Sequence, residues 1–157
     1  MLTDDHAAFI EDGRISITAA SRDVRRLPSV VRAAGCRLDG SRCQLTLLLA
    51  TRQAAQLLAD IDATGAIAAV FSEPSTHRTL QFKGSDARRS EVLPGDDARV
   101  AAHQGAFVDE IVPLGYTREL ALTIHDVPAG ELSAVTFSVD AVFEQTPGPK
   151  AGAKVSA

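Results

Sequence analysis

The chain changes period several times along its length, and each change marks an element. In residues 3–12, Phe9 and Ile10 fit the inward face of a short helix, with Thr3 or Asp4 as its cap. RISITAAS, 14–21, predicts a strand, and the polar run RDVRRLP, 22–28, connects it onward. SVVRAAGCRLD, 29–39, predicts a second strand that ends at the hairpin signal Asp39-Gly40. CQLTLLLA, 43–50, is almost continuously apolar, so this third strand should be covered on both faces.

The period then becomes helical. In TRQAAQLLADIDATG, 51–65, Ala54, Leu57, Leu58 and Ile61 form one apolar stripe. Thr51 is the expected N-cap and Gly65 the expected stop, with Asp60 and Asp62 on a solvent face. AIAAVFS, 66–72, is a fourth strand, ended by Glu73-Pro74, and 77–92 a long fifth one. Residues 95–115 read as a helix with Gly105 as its weak point, and Thr117 caps a further short helix. In ELSAVTFSVDAVFEQ, 131–145, Leu132, Ala134 and Thr136 alternate with Val135, Phe137 and Val139, which gives a sixth strand.

Strands joined by tight turns imply an antiparallel sheet. Six of them, one fully buried, are most economically arranged as a closed or partly closed barrel with peripheral helices. The expectation is therefore an α+β protein, mainly β, with one domain over 1–145 and a flexible tail over 146–157. An apolar outer face on such a barrel favours a homodimer.

Composition narrows the classes. The 157 residues carry a formal net charge of −4, which argues against a general nucleic-acid binder but leaves room for one local basic pocket. No apolar run approaches the roughly 20 residues of a membrane span. The acidic N-terminal stretch lacks the basic start of a signal peptide, so the expected location is cytoplasmic. A turn at Asp39-Gly40 would set Cys36 opposite Cys43, yet two plain strand residues are the preferred reading over a disulfide.

Three places concentrate chemistry. A strand runs straight into a helix at Ala50–Gln53, where free N–H groups, Arg52 and the Thr51 hydroxyl suit an anion such as phosphate; a plainly capped helix accounts for them too. Arg32 and Arg37 interrupt an apolar strand. Their odd separation puts them on opposite faces unless a bulge near Gly35 brings both to one site. In VFSEPSTHRTLQFKG, His77, Thr79, Gln81 and Lys83 share one face of the fifth strand, while Arg78, Leu80 and Phe82 share the other. That polar face meets either solvent or a ligand. His6, His77, His103 and His125 have no metal-ligand spacing, and no metal site is expected.

Together these segments resemble the pyridoxamine 5′-phosphate oxidase-like, FMN-binding split β-barrels over roughly residues 9–143. PSVVRAAGCR resembles the family's strand with Arg followed five residues later by Lys or Arg, here Arg32 and Arg37. TRQ resembles its Ser-Arg-Lys phosphate grip, with Gln53 in the lysine position. EPSTHRTLQFKG is similar to the strand bringing an Arg-Gln pair to the flavin, here Arg78 with Thr79 at the glutamine position and Gln81 nearby.

The resemblance implies a homodimer with FMN at the subunit interface. Arg32, Arg52 and Gln53, with Thr51, would hold the phosphate; backbone near Ala33, Leu49 and Ala50, with Thr79, would meet the ring. His77 or Arg37 would contact a small-molecule substrate. The chain departs from the true oxidases in having no Trp and no matching substrate-phosphate residues. A general FMN-dependent oxidoreductase is thus the leading expectation, with a non-catalytic flavin module, a deazaflavin protein or a haem-binding barrel as alternatives.

Overall fold

The computed structural model describes residues 1–124, 127–128 and 130–155; His125 lies outside them. Among the described residues, ten strands form two antiparallel sheets, with four α-helices around them. The first helix, α1 (Asp4–Glu11), is capped by Thr3, whose Oγ1 accepts from the His6 backbone N–H. β1 (Ser16–Arg22), β2 (Pro28–Arg32), β5 (Ile67–Ser72), β6 (Thr79–Gly84), β9 (Ala141–Glu144) and β10 (Lys154–Val155) make a six-stranded sheet in the order β10-β9-β6-β5-β1-β2. β3 (Gly35–Leu38), β4 (Gln44–Ala50), β7 (Arg88–Ser90) and β8 (Leu132–Ser138) make a four-stranded sheet in the order β3-β4-β8-β7.

Each of the three longest expected strands is in fact two strands, one in each sheet. The reason is visible in the backbone hydrogen bonds at the breaks. Ala33 N–H donates to Ile17 in the six-stranded sheet, and the next residue, Ala34, donates to Leu48 in the other. Val139 and Asp140 do the same, donating to Cys43 and Lys83. Sheets that exchange strands at bends in this way share their corners. The third passage, between β6 and β7, needs a close approach. A Cβ on Gly84 would lie 2.6 Å from the Phe137 ring and 2.7 Å from the Ser138 carbonyl oxygen, so only glycine fits there.

The core lies where inward faces of both sheets meet. Ile17, Ala69, Phe71 and Phe82 from one sheet pack with Leu45, Leu47, Leu49, Val135 and Phe137 from the other. Phe71 and Phe82 meet edge to face at 5.2 Å between centroids. α2 (Ala55–Thr64) adds Leu57, Leu58 and Ile61, the expected stripe, and ends at Gly65 with φ 66°. β4 is buried along nearly its whole length, as its apolar run requires.

Several local expectations are corrected. α2 begins at Ala55, not Thr51, and its Ala54 N-cap position offers no side-chain cap. The Thr51 hydroxyl is engaged with Ser133 Oγ at 2.8 Å instead. Asp60 is buried, not solvated: Ser29 Oγ and Gln56 Nε2 both donate to its carboxylate. The helix expected over 95–115 is α3 (Asp96–Ile111) followed by a short 3-10 turn, Val112–Leu114. Cys36 pairs in register with Leu47, not Cys43, while both cysteines are free thiols, in keeping with the preferred reading over a disulfide. In the segment expected to be a flexible tail, β10 pairs with β9.

A smaller apolar cluster stands apart from the main core. Phe107, Val108 and Ile111 of α3 pack with Ala121 of α4 (Arg118–Ile124). Gln104 Nε2 donates to the Leu122 carbonyl and ties the two helices together.

Candidate functional site

The passage of the chain from β2 to β3 decides the site. Arg32 is the last residue of β2, and Arg37 sits in β3 on the other sheet. The two arginines therefore do not converge. Arg37 Nη1 donates to Asp96 Oδ2 at 2.8 Å, and Nη2 to the Glu91 carbonyl at 3.1 Å. Asp96 is buried, and Arg37 serves as its counter-ion.

Arg32 has no such partner. Its Nη1 donates to Ser16 Oγ at 2.6 Å, and its guanidinium carbon lies 5.8 Å from the Phe107 ring centroid. Among the described residues, no carboxylate pairs with it. Burial lowers its pKa from the usual 12.5, but a guanidinium of this kind stays charged at neutral pH. A half-buried cation without a counter-ion carries a desolvation cost that a bound anion would offset.

Arg32 lines a small cavity with Ala33, Ala34, Ala50, Gln53, Ile124 and Val127. Four of the expected cofactor residues, Arg32, Ala33, Ala50 and Gln53, are thus brought together. The cavity has a volume of only about 10 Å³, room for about one water.

Thr79 and Gln81 lie on the same outward sheet face as Arg32, as the strand registers show. Arg32 pairs with Thr18, Thr18 with Val70, and Val70 with Gln81, so these four form one transverse row. At about 4.8 Å per strand, Gln81 stands about 14 Å from Arg32 across the sheet. Beside that row runs one of hydroxyls. Ser16 pairs with Ser72 and Ser72 with Thr79, whose hydroxyls are bonded at 2.7 Å. The expected alternation of β6 is present: Leu80 and Phe82 are buried, with Thr79, Gln81 and Lys83 opposite. The registers put Arg22, Arg32, Lys83 and Lys154 on this outward face together with Phe143, and no acidic side chain among its ladder pairs.

Other expected site residues lie elsewhere. Leu49 is fully buried in the main core, so only its backbone could face a ligand. The Arg52 side chain is 85% exposed and lies 3.4 Å from Glu131. Arg78 turns to the core side, over the Phe9 ring at 4.4 Å, where it pairs with Asp5. His77 falls outside β6, in the turn from β5, exposed and with φ 62°. Its N–H donates to the Glu73 carbonyl, which fixes the turn.

The sequence reading missed four participants: Ser16, Phe107, Ile124 and Val127. Ser16 is signalled only by the register that places it beside Arg32. His103, also on α3, is buried one helical turn before Phe107; burial first, and then the Arg32 cation, pushes its pKa down to about 4. Among the described residues, no three His, Cys, Asp or Glu side chains are grouped as a metal site, and no helix is long and apolar enough to cross a membrane.

The two strand-exchanging antiparallel sheets make an α+β fold of the kind found in pyridoxamine 5′-phosphate oxidase-like structures. Three solved structures illustrate the likeness. HupZ from Group A Streptococcus aligns over 97% of this chain and 100% of its own, with TM-score 0.58 and 17% identity. An F420 reductase aligns over 90% and 98%, with TM-score 0.55 and 16% identity. A putative pyridoxamine 5′-phosphate oxidase from Lactobacillus delbrueckii aligns over 90% and 93%, with TM-score 0.52 and 18% identity. No protein-family model matches the chain, and no curated protein matches it in sequence.

Proposed function

We propose that the chain is a flavin-binding split barrel, with FMN as its cofactor, that works as a homodimer and catalyses oxidation or reduction of a small molecule. The observation that carries this reading is Arg32: a cation with no carboxylate partner among the described residues, in a pocket with Gln53. In this reading the strands that pass between the sheets close or partly close the barrel. The flavin-related names of two structural neighbours, an F420 reductase and a putative pyridoxamine 5′-phosphate oxidase, support the same class.

The residues present fit the phosphate end of such a cofactor. The Arg32 guanidinium would donate to a phosphate oxygen while Ser16 Oγ holds it in place. Gln53 and the backbone near Ala33 and Ala50 line the same pocket. When bound, a flavin would supply hydride or electron transfer; the chain's part is to hold it, orient it and tune it by hydrogen bonding. Thr79 and Gln81 are the polar groups that the outward sheet face offers for that tuning.

The cavity is too small for any cofactor, so in this reading a second copy completes the site or its lining rearranges. A second copy has apolar surface to meet. Leu27 and Val30 at the β2 edge are exposed, as are Tyr116 and Leu120 near α4.

The test is titration of the protein with FMN and with riboflavin, followed by flavin fluorescence. Arg32→Ala should weaken FMN by about tenfold to a hundredfold, the worth of a charge-assisted hydrogen bond, with little effect on riboflavin. Equal weakening of both ligands would remove the phosphate role. No FMN binding at saturation would sink the flavin reading, and a haem or deazaflavin spectrum would replace it. Binding without turnover of reduced nicotinamides would leave a non-catalytic flavin module.

A further inference from the structure

A second cavity lies against α3 and shares no lining residue with the pocket beside Arg32. It has a volume of about 280 Å³ and opens between the end of α1, the start of α3 and β3. Its wall on α3 is one helical face: Arg99, Ala102, His103 and Ala106 follow the i, i+3, i+4, i+7 spacing. Ile10 comes from α1, and Cys36 from β3 forms the floor. Glu11 and Arg99 stand at the exposed rim.

Charge is sorted within this cavity. Burial pushes the Cys36 thiol up to about 12, and His103 is pushed down to about 4, so both are neutral near pH 7. The lining between the rim charges is therefore uncharged: buried Ile10, half-buried Ala106 and exposed Ala102, with these two neutral groups. The rim carries one charge of each sign. Among the described residues, neither Glu11 nor Arg99 forms an ion pair or a side-chain hydrogen bond. Asp12, next along the chain, is taken up by Arg14 at 2.7 Å. The backbone dipoles agree with the side chains: α1 ends at Glu11, its negative pole, and Arg99 lies in the first turn of α3, near its positive pole.

We propose that this cavity binds a free α-amino acid with an aliphatic side chain. The carboxylate meets Arg99, the ammonium meets Glu11, and the side chain enters over Ile10, Ala102 and Ala106. A volume of about 280 Å³ is below the roughly 300–1,000 Å³ usual for drug-sized ligands, so the occupant is small. A zwitterion satisfies both rim charges at once, which a simple anion or cation does not. The site is separate from the pocket beside Arg32 and does not depend on the flavin reading.

The experiment is calorimetric titration of the full chain with L-leucine, N-acetyl-leucine, leucinamide and glycine. L-leucine should bind, and each of the other three, lacking one of the three recognition elements, should bind at least about tenfold more weakly. Arg99→Gln and Glu11→Gln should each cost about tenfold, and Ala102→Leu, which fills the cavity, should abolish binding. All three variants should keep the wild-type melting temperature and FMN titration. No heat with leucine at 10 mM, used here as a roughly saturating level for a weak site, overturns the proposal. N-acetyl-leucine or leucinamide binding as tightly as leucine overturns it as well. Loss of FMN binding with leucine binding retained would bear on the flavin reading alone.

Discussion

Arg32 and Arg37 come from one apolar stretch of sequence, five residues apart, and meet opposite fates. Arg37 neutralises Asp96, which is only 3% exposed, and is bonded twice. Arg32 is half-buried with a hydroxyl and an aromatic ring for company. The difference arises at Ala33 and Ala34, whose N–H groups serve different sheets. One arginine thereby becomes part of the fold, and the other is left with binding capacity to spare. Residue type alone cannot separate the two roles; the accounting of partners can.

The largest expected effect tests the structural member of the pair. Arg37→Met would strand the Asp96 carboxylate in the interior with only the Leu93 N–H, at 2.8 Å, still donating to it among the contacts described. Removing one partner of a buried pair costs about 3–5 kcal/mol. At this chain length that is a fall of roughly 6–20 °C in melting temperature. The double variant Arg37→Met/Asp96→Leu should recover most of it. A single variant that melts like the wild type would show that Asp96 needs no counter-ion.

The next effect is a pH dependence on the Arg32 side. His103 titrates at about 4 in the folded protein against 6.5 as its ordinary value, because of burial and then the Arg32 charge. Between those values the unfolded chain holds more protons. The stabilisation is therefore complete above about pH 6.5 and is lost as pH falls toward 4, by about 3 kcal/mol in all. Chemical denaturation at a series of pH values should show that slope, and His103→Leu should flatten it. In Arg32→Met the slope should shrink, because one cause of the depressed pKa is gone, while Asp12, which acts in the opposite sense, remains.

Much of this was legible in the sequence, and the failures share a cause. Apolar runs, alternating or continuous, located the main strands, and the Leu57, Leu58, Ile61 stripe located α2. The sheet to which a strand belongs is a long-range fact. Residues 29–39, 77–92 and 131–145 each keep a strand-like pattern across a bend, so each reads as one strand. Thr51 carries the side chain of an N-cap, but Ser133 on a distant strand holds its hydroxyl. Asp60 fits a solvent face until Ser29 and Gln56 are seen to enclose it. At the site, Arg32, Ala33, Ala50 and Gln53 were expected together and are together. Arg37, Arg52, Arg78 and His77 were expected with them and lie elsewhere, because a motif fixes order along the chain and not the sheet crossing that redirects it.

A smaller effect sharpens the comparison from the binding side. Arg32→Met replaces an uncompensated cation by an apolar chain of similar length. Its stability should stay within about 1 kcal/mol of the wild type, in contrast to Arg37→Met. Equal losses in the two variants would mean that Arg32 is a structural residue like its neighbour, and that its spare hydrogen-bonding capacity does not mark a site.

The smallest effect concerns Arg52, the arginine that sequence reasoning placed at the centre of a phosphate grip. Its side chain is 85% exposed and only 3.4 Å from Glu131, so it is solvated and weakly paired. Exposed pairs of this kind contribute about 0–1 kcal/mol, and Arg52→Ala should shift the melting temperature by no more than a degree or two. Its effect on FMN is the more informative number. The Arg32 pocket predicts that Arg32→Ala weakens FMN much more than Arg52→Ala does, with riboflavin the same in both. If Arg52→Ala is the more damaging, ligand binding must swing this side chain from Glu131 onto the phosphate. The half-buried cation would then be secondary to the exposed one.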